Sequence, residues 1–132
     1  MKRAGAVHFA RSALMYVVLM MLATSGFAQE LAAANTSRPL EKGWWEWTVY
    51  ITAAPKVLKQ IECVEYTLHP TFPKPVNRVC KIGDDRYPFA LSATGWGTFR
   101  IGIRVFLSNG QVSELTHDLK FSAETRPSGR HQ

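Results

Sequence analysis

The sequence predicts an all-β fold, an immunoglobulin-like antiparallel β-sandwich, and three observations support this prediction. Apolar and polar residues alternate with a period of two along several segments, turn-forming residues separate these segments, and no long window shows a helical apolar stripe. The chain has 132 residues, 46% of them hydrophobic and 20% charged, which suits one core and excludes both a multidomain enzyme and a wholly disordered chain. Five to seven short strands over roughly 80 residues have the size of a two-sheet sandwich.

Each predicted strand is marked by apolar side chains that share one face at alternate positions. These are Trp45, Trp47, Val49 and Ile51 in the first strand and Val64, Tyr66 and Leu68 in the second. A shorter strand contains Phe89 and Leu91, and the longest alternates over Phe99, Ile101, Ile103, Val105 and Leu107. The last contains Leu115, His117, Leu119 and Phe121, so His117 is expected to be structural. Before it, Asn109-Gly110 predicts a type I′ hairpin turn, which needs two residues with positive φ.

The first 28 residues have the composition of a secretory signal peptide. Three basic residues precede an uncharged stretch, the apolar run 14–22 forms its centre, and small residues follow, so cleavage is expected after Ala28. The predicted location is therefore periplasmic or secreted. The alternative is an uncleaved membrane anchor with the domain outside the cytoplasm, because the uncharged stretch approaches the ~20 residues that span a membrane. Membrane contact is expected only in that case.

The sequence divides into a signal peptide (1–28), a flexible linker (29–42), a β-sandwich domain (43–121) and a disordered tail (122–132). The linker and the tail are rich in small and polar residues and show no apolar period. Removing the basic residues of the leader lowers the net charge from +6 to +3. No two Lys or Arg residues are adjacent in the remaining chain, so a nucleic-acid partner is not expected.

Two segments depart from plain strand chemistry and carry a family resemblance. They are Leu68-His69-Pro70-Thr71-Phe72-Pro73-Lys74-Pro75 and Gly95-Trp96-Gly97-Thr98-Phe99. Together with Trp47-Thr48-Val49-Tyr50 and residues 115–121, they occur in the order and approximate spacing of a YEATS domain. The resemblance covers Trp47 to Phe121, and the export signal makes it most similar to the prokaryotic branch. It implies an immunoglobulin-like sandwich, in agreement with the strand count above.

The resemblance also implies a non-catalytic site that binds acylated lysine of a protein or peptide partner. It would place His69, Thr71 and Phe72 on a first binding loop and Trp96 and Gly97 on a second. In the family, aromatic rings sandwich the flat acyl amide, a hydroxyl and a backbone N–H hydrogen-bond it, and the histidine shapes the wall. Pro70 replaces a polar residue common in the family and stiffens the loop. Histones are absent from an exported compartment, so that part of the family's function does not carry over.

The residues of these two loops also suit such a site on physical grounds. Phe72 and Trp96, with glycine on both sides of Trp96, would form a slot for a planar group. Neither loop carries a carboxylate, so a neutral acyl or amide group suits the slot better than a free ammonium. Alternatively, Gly-Trp-Gly is only a turn over the end of the sandwich, and His69 bonds a neighbouring carbonyl. The protein would then be a structural or assembly subunit of the cell envelope that pairs through an exposed strand edge.

The two cysteines, Cys63 and Cys80, form an even count in a predicted oxidising compartment. They would lie opposite each other if the segments on either side of residue 71 run antiparallel. A disulfide closing about 18 residues would then add roughly 3 kcal/mol to stability. If the two strands belong to different sheets, the cysteines could lie too far apart for the bond.

An enzyme is not predicted, because the sequence contains no nucleophile motif, phosphate-binding loop or His-x-x-x-His pair. A Cys80–His69 nucleophile would require a free thiol, which a disulfide would consume. No set of metal ligands can be assembled from the motifs, and neither a metal nor a cofactor is expected.

Overall fold

The computed structural model describes residues 30–122, which form two antiparallel sheets and confirm the predicted all-β sandwich. The seven strands of this range are β1 (Ala32–Pro39), β2 (Trp45–Thr52), β3 (Ile61–Thr67), β4 (Val76–Val79), β5 (Leu91–Gly95), β6 (Arg100–Leu107) and β7 (Val112–Asp118). One sheet has the order β1-β2-β5 and the other β4-β3-β6-β7. A short helix, α1 (Pro55–Leu58), links β2 to β3, and a 3-10 turn (Glu41–Gly43) precedes β2.

The core consists of the apolar faces that the alternation predicts on both sheets. Its fully buried side chains include Trp47, Val49, Ile51, Val64, Tyr66, Ile101, Ile103 and Val105. The hydroxyl of Tyr66 donates a hydrogen bond of 2.6 Å to the carbonyl of Phe89, which satisfies the one polar atom of that side chain inside the core. Burial also raises the pKa of the Tyr66 phenol.

The prediction of a flexible linker over residues 29–42 is wrong for β1. This strand pairs with β2 along its whole length, from Ala32 opposite Thr52 to Pro39 opposite Trp45. Its side chains other than Arg38 are small and none is fully buried, so the sequence has no apolar period there. The strand is specified by its backbone hydrogen bonds at a sheet edge, and these leave no hydrophobic pattern. The folded domain therefore begins earlier than the predicted residue 43.

The predicted type I′ turn is also wrong, although the hairpin between β6 and β7 is present. Of the two central residues, only Gly110 has a positive φ, at 88°. Its N–H donates to the carbonyl of Leu107 at 3.0 Å, and the Leu107 N–H donates to Gln111 at 2.9 Å. These bonds close a three-residue loop with glycine in the left-handed position.

The predicted strand containing Phe89 starts later than expected. Phe89 has a φ of 53°, and β5 begins at Leu91. The Phe89 N–H donates to the carbonyl of Ile82 at 2.9 Å, and the ring is buried in the core. Because a phenylalanine rarely adopts a positive φ, the kink depends on tertiary packing and is not visible as a sequence pattern.

The two cysteines lie on neighbouring strands of one sheet. β3 and β4 are antiparallel, with Val64 opposite Val79, so Cys63 and Cys80 are one position further along each strand. Their sulfur atoms are bonded to each other. The arrangement is thus the antiparallel alternative of the two geometries considered from the sequence.

The predicted signal peptide (1–28) and tail, except Ser122, lie outside the described residues. Within residues 30–122, no helix combines the length and apolar composition that crossing a membrane requires.

Candidate functional site

A cleft of about 360 Å³ lies at one end of the sandwich, where two loops meet. The first loop (residues 68–75) joins β3 to β4, and the second loop (residues 96–99) joins β5 to β6. The cleft is lined by Trp44, His69, Thr71, Phe72, Pro73, Thr94, Gly95, Trp96, Gly97, Thr98 and Phe99. The structure therefore places all five ligand-binding residues proposed from the sequence, His69, Thr71, Phe72, Trp96 and Gly97, around a single cleft.

Two main-chain hydrogen bonds hold the first loop, one between its ends and one within it. The N–H of Leu68 donates to the carbonyl of Pro75 at 2.7 Å, and the N–H of Phe72 donates to His69 at 3.0 Å. Leu68 is buried, which anchors the start of the loop on the core. Proline cannot donate to a strand ladder, so Pro70 and Pro73 favour this turned path over a longer β3.

Phe72 forms a wall of the cleft that other aromatic rings support from behind. Its ring lies edge-on to the buried Trp47, with centroids 6.2 Å apart, and is tilted against Phe99 at 5.5 Å. The ring of His69 also lies edge-on to Phe99, at 6.1 Å. Offset and edge-on pairs of this kind are favourable beyond their buried area, so the wall is held in a fixed orientation.

Trp96 is exposed over 75% of its surface, the largest fraction among the exposed large hydrophobic residues of the range 30–122. Trp44, which lies directly before β2 as Trp96 lies directly after β5, is exposed over 45% of its surface. Two indoles left in water at the mouth of a cleft are the usual sign of a recognition surface. Trp96 is not tucked over the end of the sandwich, as the architectural alternative supposed.

Gly95 and Gly97 do not have positive φ, so neither is required by backbone geometry. A Cβ at Gly97 would meet no atom within 4 Å, whereas one at Gly95 would reach ordinary contact with Phe72 and Trp47 at 3.8 Å. The glycine at position 97 thus leaves the main chain open toward the cleft. This openness suits close approach of a ligand to the backbone.

His69 and Thr71 are joined by two hydrogen bonds. The Thr71 N–H donates to Nδ1 of His69 at 3.3 Å, and the Thr71 Oγ1 lies 2.8 Å from the same nitrogen. Because a main-chain N–H can only donate, Nδ1 is an acceptor and the imidazole proton lies on Nε2. The Thr71 hydroxyl then donates to Nδ1 and keeps its lone pairs free for an N–H of a ligand. His69 thus bonds Thr71, and the alternative of a bond to a neighbouring carbonyl is not the one observed.

The lining residues include no Asp, Glu, Lys or Arg. A charged group entering it would lose hydration without meeting an opposite charge. The arrangement therefore favours a flat, neutral group that can accept and donate hydrogen bonds at its edge.

Sequence reasoning missed several lining residues. Trp44 lies outside both motifs, and the alternation pattern places Phe99 on the core face of a strand. Thr94 also lies outside both motifs, and Thr98, within the second, is not among the ligand-binding residues predicted from the sequence. The one usable signal was the position of Trp44 directly before the first apolar strand. In the structure Trp45 lies opposite Gly95, so the next residues outward on the two strands are Trp44 and Trp96.

The described residues also bear on the metal site and the cysteine nucleophile that the sequence analysis considered. Within residues 30–122, no group of three or more His, Cys, Asp and Glu side chains could hold a metal ion. The Cys80 sulfur is bonded to Cys63, so the Cys80–His69 hypothesis lacks its thiol.

Comparison with known proteins identifies related sequences. The family model of the prokaryotic YEATS domain matches residues 45–120. A protein AF-9 homolog of Eremothecium gossypii is 32% identical over 89 residues, which cover 64% of this chain and 40% of that protein. The protein AF-9 homolog of Saccharomyces cerevisiae is 30% identical over 86 residues, covering 61% and 36%. The chain thus matches less than half the length of these curated relatives.

Solved structures with the same fold are also found. The crystal structure of the yeast AF-9 homolog Yaf9 superposes with a TM-score of 0.56 at 24% identity, covering 70% of each chain. A structure of the Yaf9 YEATS domain recognising an H3K122suc peptide superposes with a TM-score of 0.52 at 25% identity, covering 73% of this chain and 80% of that one.

Proposed function

The chain belongs to the prokaryotic YEATS domain family, and on this premise we propose that it is an exported, non-catalytic module that binds acylated lysine of a protein partner. The observation that carries the proposal is that the exposed Trp96 and the supported Phe72 line one uncharged cleft. The related Yaf9 domain binds a succinylated histone peptide, which supports the same class of ligand here. The partner in an exported compartment would be a different acylated protein.

The cleft offers separate groups for each part of an acyl-lysine amide. The flat amide and its acyl chain would lie between the rings of Phe72 and Trp96. The free lone pairs of the Thr71 hydroxyl would accept the amide N–H, while the open backbone at Gly97 supplies a donor for the amide carbonyl. The aliphatic stem of the lysine would then extend toward the mouth of the cleft, beside Trp44.

The expected affinity follows from the size of these contributions. An aromatic pair adds about 0.5–1.5 kcal/mol beyond buried area, and each hydrogen bond a net of about 1 kcal/mol. These terms add to the burial of the acyl chain and the lysine stem between the rings, and together we expect them to give weak, micromolar-class binding. An unmodified lysine would bind more weakly, because only a cation–π attraction would offset the loss of its hydration.

The second candidate is a structural subunit that pairs with an envelope partner through a strand edge. β4 is one of the two edge strands of the four-stranded sheet, the other being β7, and Val76 of β4 is exposed over 48%. However, β4 has only four residues and carries Arg78 and Asn77, and short polar edge strands are typical of edges protected from pairing. The β4 edge therefore supports a structural role less well than the cleft supports ligand binding.

Peptide titration tests the first candidate directly. Three peptides of one sequence, with acetyl-lysine, crotonyl-lysine or unmodified lysine, are titrated into the purified protein. We expect saturable micromolar binding of the acylated peptides and a loss of at least about tenfold for Trp96→Ala and Phe72→Ala. Val112→Ala, an exposed apolar residue at the opposite end of the sandwich, is the matched control and should bind normally. No saturation up to about millimolar peptide, or equal binding of unmodified lysine, would reject the proposal.

A further inference from the structure

The Cys63–Cys80 disulfide closes a ring around the first loop of the cleft. The ring contains four of the lining residues, His69, Thr71, Phe72 and Pro73. The bond joins β3, a central strand, to β4, an edge strand. We propose that this disulfide is a redox-sensitive device that orders the first loop when oxidised and releases it when reduced.

β4 has few other attachments to the rest of the domain. It has four residues, none of them buried, and it pairs only with β3. Val79 is its one side chain packed against the core, and Arg78 lies over the ring of Phe106 at 4.3 Å on the outer face. A strand with so little buried surface belongs to the least stable part of a domain, so a covalent link there has a large effect on its order.

The second half of the first loop in turn depends on β4. The carbonyl of Pro75, directly before β4, accepts the Leu68 N–H that closes the loop. The side chain of Asn77 on β4 donates to the carbonyl of Lys74 at 2.9 Å. Release of β4 would remove both bonds, leaving Phe72 held by its ring contacts and by its N–H bond to the His69 carbonyl within the loop. The wall of the cleft would then lose its fixed orientation.

The two cysteines differ in exposure, which sets the order of the reduction steps. Cys80 is exposed, whereas Cys63 is buried. A thiolate of a protein dithiol attacks Sγ of Cys80, the S–S bond breaks, and its electron pair leaves on Sγ of Cys63, which takes up a proton. The second thiol of the reductant then displaces Cys80 as a thiol. The dithiol is thereby oxidised to its disulfide, and both cysteines of this chain are reduced.

The effect of reduction on ligand binding rests on the proposed function, whereas the effect on loop order does not. If reduction leaves the loop ordered one-tenth of the time, the apparent affinity falls about tenfold. The exchange rates of the loop amides also rise, because the reduced loop is disordered for a larger fraction of the time. This rise does not depend on whether any ligand binds.

Hydrogen exchange of the purified protein, oxidised and after reduction with dithiothreitol, tests the device. We expect the hydrogen-bonded amides of Leu68 and Phe72 to exchange at least about tenfold faster after reduction, because exchange follows the open fraction of the loop, while core amides of β2 and β6 stay protected. The Cys63→Ala/Cys80→Ala variant should show the fast exchange without reductant, and dithiothreitol should then change nothing further. Unchanged loop exchange would overturn the proposal. So would equal acceleration in the core, because the bond would then stabilise the whole sandwich.

The same samples are titrated with the crotonyl-lysine peptide. Binding that is about tenfold weaker in the reduced state supports the device acting on the site. Equal affinity in both states would reject the proposal that the disulfide controls ligand binding. Absence of binding in both states contradicts the proposed function alone, and the exchange rates of Leu68 and Phe72 then decide the redox proposal.

Discussion

The side-chain amide of Asn35 binds the main chain of Lys120, 85 residues further along the chain, through two hydrogen bonds. Its Nδ2 donates to the Lys120 carbonyl at 2.8 Å, and its Oδ1 accepts the Lys120 N–H at 3.1 Å. The same Oδ1 lies 2.7 Å from Nε2 of His117, which must therefore donate. These bonds tie β1 to the segment after β7 and so connect the two sheets along one side.

Replacement of Asn35 by alanine should weaken this connection. Loss of the paired hydrogen bonds is expected to lower the free energy of unfolding by about 1–3 kcal/mol. Thr36→Ala, an exposed position on the same strand, is the matched control and should change stability by less than about 0.5 kcal/mol. Denaturant unfolding measures both variants. Equal stability of the two variants would show that the Asn35 bonds contribute nothing.

The stability of the domain should depend on the titration of His117. Partial burial lowers the pKa of His117, the positive charge of Lys120 lowers it further, and Asp118 opposes the shift. The unfolded chain therefore binds a proton more readily than the folded one, so stability falls as the pH drops through the unfolded pKa of about 6.5 toward the lower folded pKa.

The measurement compares the free energy of unfolding of wild type and His117→Gln between about pH 8 and about pH 5. Glutamine keeps a donor for Asn35 but does not titrate. The wild type should lose more stability on acidification than the variant. Parallel curves would mean that His117 does not contribute to the pH dependence.

Two glycines should respond in opposite ways to the same substitution. Gly110 has a φ of 88°, so Gly110→Ala should destabilise the hairpin by about 1 kcal/mol. Gly97 lacks a positive φ and a Cβ there meets no atom, so Gly97→Ala should leave stability unchanged or slightly raised. Its methyl group should instead obstruct the cleft and weaken binding of a crotonyl-lysine peptide. If Gly97→Ala binds the peptide normally, Gly97 is not part of the binding site.

Export from the cytoplasm is a separate prediction that depends on residues 1–28. Fractionation of cells that express the protein should recover it outside the cytoplasm, and N-terminal sequencing should begin at Gln29. The basic, apolar and small-residue parts of the leader are the reason for this expectation. Full-length protein in the cytosol would contradict it, whereas full-length protein in the membrane fraction would indicate an uncleaved anchor.

The strands with one buried face were predictable from the sequence, and the edge strand was not. Trp47, Val49 and Ile51 alternate with polar residues because one side of β2 packs into the core and the other does not. β1 contributes backbone hydrogen bonds and small side chains, so its sequence resembles a linker. Turn details such as the conformation of Phe89 depend on contacts with distant residues.

The candidate site shows the same division. Both loops were located from their motifs and a family resemblance, and the structure brings their residues to one cleft. The support of Phe72 by Trp47 and the bond between His69 and Thr71 depend on how the loops fold back onto the core. A sequence pattern specifies residue types at a spacing and contains no information about these orientations.

The central claim is that an acyl group lies between the rings of Phe72 and Trp96, and proton NMR of the ligand tests it most directly. A methyl group held against aromatic faces experiences their ring currents. The methyl resonance of a crotonyl-lysine peptide should therefore shift upfield on addition of the protein, and the shift should largely disappear with Trp96→Ala. Saturable binding with no upfield shift, or an unchanged shift with Trp96→Ala, would place the acyl group elsewhere.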